Sequence, residues 1–150
     1  MLIGCGTAQT IVMEPVKGRT TVSGISVVSD SHNVEVPDEI VQQLKEKIER
    51  GLYEKNGYDR SDELKIVYKF LQQDKGNQFS RWFWGGIGNT GEASLTVLVK
   101  YLDSEGSELG KTQVQGKIDS GFFGGSFSDA ITKAAEQVVS FTVANFPSSS

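Results

Sequence analysis

The strongest constraint on this chain is a change in the period of its hydrophobic residues. Ile40, Val41, Leu44, Ile48 and Leu52 recur at spacings of three and four, with Lys45, Glu46, Lys47 and Glu49 on the other face. That spacing predicts an amphipathic helix of about four turns. It opens at Pro37-Asp38-Glu39, where proline fits the first turn and the acids sit on the positive end of the helix dipole. Asn56-Gly57 stops it, because glycine reaches the left-handed conformation that closes a helix. From Leu64 the period becomes two. Leu64, Ile66, Tyr68 and Phe70 point one way and Lys65 and Lys69 the other, with Val67 and Leu71 between, which is a strand. Such a chain must bury a helix stripe against a sheet face.

The rest of the chain extends that plan. Residues 24–30 alternate well enough for a first strand, with Ser31-His32-Asn33 as its exit loop. The strand from Leu64 runs to Gln73. Residues 92–102 and 109–119 read as two further strands, joined at Asp103-Ser104-Glu105-Gly106 into a hairpin. A last helix, capped by Ser126 or Ser128, carries Ala130, Ile131, Ala134, Ala135, Val138, Val139 and Phe141. The order β-α-β-β-β-α predicts an α+β fold, a mainly antiparallel sheet with two helices packed on one face. Residues 24–147 form one domain on this reading. Residues 6–23, polar and irregular with Pro15 and Gly18, are expected as a flexible tether. Residues 148–150 are a polar tail.

Size and charge narrow the function classes. A chain of 150 residues buries roughly 68–70% of its unfolded surface, enough for a core without staples. Its one cysteine, Cys5, excludes an intramolecular disulfide. The net charge of −4 argues against nucleic acid as the main partner, since neutralising phosphates requires a basic face. No apolar run approaches the roughly 20 residues that span a bilayer. Attachment to a membrane would therefore fall to a lipid or a partner.

Cys5 supplies a candidate for that lipid. Leu2-Ile3-Gly4-Cys5 has the order read by bacterial lipoprotein processing, which acylates the thiol and cleaves before it. A secretory signal also has a basic n-region and an apolar h-region of roughly 7–15 residues. Residues 1–5 are accordingly read as the remnant of such a signal. The expected address is the periplasmic face of the outer membrane, Gly6 standing where aspartate would retain a lipoprotein at the inner one. Without an upstream signal, the alternative is a cytoplasmic protein.

Several segments together resemble the DUF4410 family of bacterial lipoproteins, whose function is uncharacterised. They are Asn56-Gly57-Tyr58 after the helix, the strand 64–73, Gly85-Gly86-Ile87-Gly88 leading into Glu92-Ala93-Ser94-Leu95-Thr96-Val97, Tyr101-Leu102-Asp103-Ser104-Glu105-Gly106, and Phe122-Phe123-Gly124-Gly125 before the last helix. The resemblance runs from about Gly24 to Phe146. It implies a lipoprotein signal and so supports lipidation of Cys5. The architecture also looks like small α/β domains of cell-envelope proteins, the periplasmic N-terminal domain of TolB among them.

Catalytic chemistry finds little support. His32 is the only histidine, and neither it nor Asp30 and Glu35 make a metal set. Ser29, Asp30, Ser31 and His32 are too close in sequence for triad geometry. Gly85 to Gly91 leads into a strand and not a helix, so it lacks the dipole that a phosphate loop uses. No enzyme activity, cofactor or metal is expected. The candidate interaction patch is aromatic: Trp82, Phe83, Trp84, Phe122 and Phe123, flanked by glycines at one end of the sheet, either docking a partner or covering the core. The preferred reading is a non-catalytic envelope lipoprotein that binds a protein or assembles with itself. The alternative is a soluble module that holds a small ligand against the glycine-rich loops.

Overall fold

The computed structural model describes residues 6–16, 21–30, 38–71, 92–119 and 127–148. In chain order the elements are β1 (Gly6–Glu14), β2 (Gly24–Ser29), α1 (Asp38–Glu49, continued by a π-helical turn at Arg50–Glu54), β3 (Asp59–Arg60), β4 (Leu64–Leu71), β5 (Glu92–Asp103), β6 (Glu108–Asp119) and α2 (Phe127–Asn145). The six strands form one sheet in the order β1-β6-β5-β4-β2-β3. β1, β6, β5 and β4 are antiparallel neighbours, whereas β2 runs parallel to β4 and β3. The α+β class with a mostly antiparallel sheet and two helices follows the sequence expectation.

Alternation explains the layers. Ile66, Tyr68 and Phe70 of β4 stand opposite Tyr101, Val99 and Val97 of β5. These residues join Leu44, Ile48 and Leu52 of the first helix and Ile131, Ala134 and Val138 of α2 in one buried cluster. The helices therefore cover the same face of the sheet. Lys65, Lys69 and Lys100 alternate onto the other face. Burial of this apolar surface at about 25 cal/mol per Å² is the main favourable term holding the layers together.

The chain's four tyrosines lock the layers with their hydroxyls. Tyr68 donates to Val41 O at 2.7 Å, Tyr58 to Phe146 O at 2.6 Å, and Tyr53 to Ile25 O at 2.5 Å. Tyr101 lies 3.2 Å from Thr142 Oγ1, which itself donates to Val138 O, and stacks on Phe146 with ring centroids 5.2 Å apart. Burial pushes the phenols of all four above their ordinary value, because a charged phenolate loses solvation there.

The turns behave as their residues predict. Gly57 has φ +76° and Gly106 has φ +89°. Asn56 Nδ2 donates to Gly51 O at 2.7 Å, and Asp103 Oδ1 accepts from the amides of Glu105 and Ser107, both at 2.9 Å.

Two boundaries differ from expectation. Residues 6–14, expected within a tether, form the nine-residue strand β1 along β6. The reason is the open edge of β6, whose backbone groups need partners that a free tether would not supply. Ser148, expected in a polar tail, is bridged to Val22, and Val22 N donates to Pro147 O at 3.0 Å. The two-residue β3 was likewise absent from the sequence reading.

Candidate functional site

The predicted aromatic patch (Trp82, Phe83, Trp84, Phe122 and Phe123), Cys5, His32 and the Gly85–Gly91 loop all lie outside the described residues. The strand ends that bracket the aromatic segments do converge. Glu92 is opposite Asp119, and Ala93 and Gly6 both pair with Ile118; Leu71 is opposite Thr96, two pairs beyond Leu98. Gly6, the residue after Cys5, thus begins β1 at the end of the sheet from which both aromatic connections leave.

The described surface offers a different candidate, the β1 edge. β1 has β6 on one side and no described strand on the other. Thr10 and Val12 pair with Val114 and Thr112 and so take the helix-side face, while Ile11 takes the opposite one. Ile11, Val12 and Met13 are nevertheless 45%, 47% and 49% exposed, because an edge strand has neighbours on one side only. A register shift at Met13 bulges the strand just before its end. Thr10 Oγ1 donates to Gln137 Oε1 at 2.6 Å and so ties β1 to the helix layer.

Charge gathers where β1 ends. Lys111 Nζ lies 3.7 Å from Glu14 Oε2. A hydrogen bond between the carboxyls of Glu14 and Glu108 holds the first below the ordinary carboxylate value and pushes the second above it. Beyond it, Gly110 lets the chain cross close, since a Cβ there would meet Val16 Cγ2 at 2.7 Å.

The other edge is built differently. β3 is only two residues long and covers Gly24 and Ile25 of β2. Arg60 lies over the Tyr53 ring at 4.1 Å and pairs with Glu49 at 3.5 Å. Glu63 Oε1 accepts from Ser23 Oγ at 2.7 Å and from the amides of Ser23 and Gly24 at 3.0 and 3.3 Å. Those bonds hold its carboxyl below the ordinary value. Among the described residues, no cluster of histidine, cysteine and carboxylates could hold a metal, and no helix is long and apolar enough to cross a membrane.

Sequence reasoning missed the β1 edge because its residues do not alternate in polarity. The available signal was the run Thr10-Ile11-Val12, three β-branched residues in a row, which favours extended backbone.

A small α+β domain with a six-stranded sheet, two helices on one face and one long open edge is the class these elements define. The family model described as a domain of unknown function, DUF4410, matches residues 28–121, and the chain belongs to that family. Among solved structures it is similar to a PelC dodecamer from Paraburkholderia phytofirmans in two crystal forms. A point variant of that protein aligns with 17% identity and a TM-score of 0.57, covering 89% of this chain and 95% of the other. The second form aligns with 14% identity and a TM-score of 0.52, covering 95% and 99%. At these identities the likeness is one of fold. No curated protein matches the chain.

Proposed function

We propose that this domain is a non-catalytic module of the bacterial cell envelope, anchored by a lipid on Cys5, that assembles with copies of itself through the β1 edge. The observation that carries the reading is the edge itself. Three consecutive large apolar side chains, Ile11, Val12 and Met13, are about half exposed on a nine-residue strand that has no described strand on its outer side. Monomeric proteins blunt such edges with charge, proline or short strands, because an open edge templates pairing with another chain. A second copy is the occupant that best fits, since the structures of similar fold are described as dodecamers and symmetric self-association is the common state of soluble oligomers.

The same strand gives the anchor a consequence. Cys5 is one peptide away from Gly6, and successive Cα atoms are about 3.8 Å apart. A lipid on Cys5 would hold the sheet against the bilayer with no tether between. A diacylated cysteine supports stable attachment where a single chain does not.

The test is size-exclusion chromatography with light scattering on the 150-residue chain and its Ile11→Lys/Met13→Lys variant. An assembly that falls to monomer in the variant, at an unchanged melting temperature, is expected. A wild-type chain that stays monomeric at about 100 μM, where an interface of micromolar Kd would be occupied, would remove the self-assembly reading. Mass spectrometry of the N-terminus after expression from the native locus tests the anchor separately; an unmodified Met1 would remove it.

A further inference from the structure

A cleft of about 340 Å³ lies between the end of the first helix and α2, and three cations line it: Lys47, Arg50 and Lys55. The chain carries a net charge of −4, so this concentration of positive charge runs against its average. The ion pairs among the described residues are Arg60 with Glu49, Lys111 with Glu14 and Lys133 with Glu136, and single lysines such as Lys65 and Lys69 on the sheet make none. Lys47, Arg50 and Lys55 have no such pair among the described residues.

Basic residues at a helix C-terminus commonly offset its unbonded carbonyls. Here backbone and amide donors already fill that role. Lys55 N donates to Arg50 O at 3.2 Å, Tyr58 N to Leu52 O at 3.1 Å and Asn56 Nδ2 to Gly51 O at 2.7 Å.

Backbone geometry shapes the cleft. The five-residue π turn at Arg50–Glu54 follows Lys47, and Lys47, Arg50 and Lys55 all line the cleft. Such turns recur at functional sites. Gly51 also lines the cleft, so close to α2 that a Cβ would meet Val139 Cγ2 at 2.7 Å. Ser140 and Thr132 add hydroxyls from α2, and Glu136, itself paired with Lys133, is the one carboxylate among the described lining residues. Three cations against one carboxylate leave a surplus of two positive charges.

We propose that this cleft binds a dianionic oxyanion, the phosphate group of a small phosphomonoester. Arg50 supplies the planar fork that matches two phosphate oxygens, and Lys47 and Lys55 act as point charges beside it. The volume is at the small end for ligand pockets, which suits a head group and not an extended polymer. The site stands on its own charges and geometry and is independent of self-assembly. Its phosphate could come from a soluble metabolite or from a lipid head group.

Two probes on the full chain separate those sources. Inorganic phosphate is titrated while backbone amide shifts are followed by NMR, and vesicles of phosphatidic acid in phosphatidylcholine are used for co-sedimentation. Each is repeated on Lys47→Gln/Arg50→Gln/Lys55→Gln and on a control of equal charge change, Lys65→Gln/Lys69→Gln/Lys100→Gln, on the other sheet face. Saturable phosphate binding centred on Gly51 and Ser140 is expected. It should weaken at least about tenfold in the first variant and by less than about twofold in the control. Glu136→Gln should bind a few-fold more tightly, on the order of one surface charge, because it removes the one repulsive group.

Vesicle binding with the same variant pattern, in place of phosphate binding, would support the site and assign it to a head group. Binding of neither probe, or equal loss in both triple variants, would overturn the proposal.

Discussion

The two edges of the sheet are finished in opposite ways. On one side β3 is two residues long, and around it Arg60, Tyr53 and Glu49 build a charged and aromatic cover, while Glu63 collects three donors from Ser23 and Gly24. On the other side β1 runs nine residues with Ile11, Val12 and Met13 about half exposed. Short strands and charge are the ordinary defences of an edge, and a long apolar strand is what those defences prevent. Among the described residues, one edge is thus closed and the other has no neighbouring strand. The β1 bulge at Met13 and the Glu14–Lys111 pair limit the open stretch without removing it.

The sharpest way to break that comparison is to damage the closed edge. A Cβ at Gly24 would overlap the Ser61 hydroxyl and approach Asp59 O at 3.2 Å. Gly24→Val is expected to cost about 1–3 kcal/mol, as overpacking does, and to lower the chemical-denaturation midpoint. Ile11→Lys on the open edge should stay within about 0.5 kcal/mol for the isolated chain, as exposed substitutions do. Equal losses from the two substitutions would mean that β1 is not an exposed edge.

How much of this was legible in the sequence follows from burial. β4, β5 and β6 alternate because one face of each strand is buried, and the first helix carries a clean stripe for the same reason. Their positions, the Gly57 and Gly106 turns and the α+β class were accordingly readable. β1 was not, because Ile11 on one face and Val12 on the other are both about half exposed, which leaves no period-two pattern; Thr10-Ile11-Val12 was too short a signal against Pro15 and Gly18. The two-residue β3 exists through pairing to Gly24 and Ile25, a long-range fact with no local signature. The cationic cleft was hidden likewise. Lys47 read as part of the polar helix face, and Arg50 and Lys55 carried no signal of their own; all three line one space beside α2.

A smaller effect sharpens the comparison from the open side. Thr10 Oγ1 to Gln137 Oε1 is the side-chain bond that ties β1 to α2. Thr10→Val keeps the branched shape and removes the donor, so a loss of about 1 kcal/mol is expected. Hydrogen exchange should then speed up at the β1 amides and remain unchanged in β4. Faster exchange throughout the sheet would show instead that β1 unfolds together with the core.

The smallest effect belongs to Glu63 and depends on pH. Its bonds from Ser23 and Gly24 place its folded carboxyl below the ordinary value of 4.5. A carboxylate with a depressed folded value contributes stability that is present above the unfolded value and is lost as pH falls through the folded one. Glu63→Gln removes the charge and leaves the Ser23 and Gly24 donors with a neutral acceptor. The variant should therefore melt below the wild type at neutral pH, and the gap should begin to close as the pH falls below about 4.5 and vanish only below the lower folded value, where both chains carry an uncharged residue. Because Glu63 is exposed, solvent screens the interaction and the gap should be the least of the three. A gap that persists unchanged at pH 2 would mean that Glu63 holds this edge by shape and hydrogen bonding, and that its charge contributes nothing to keeping β2 closed where β1 is open.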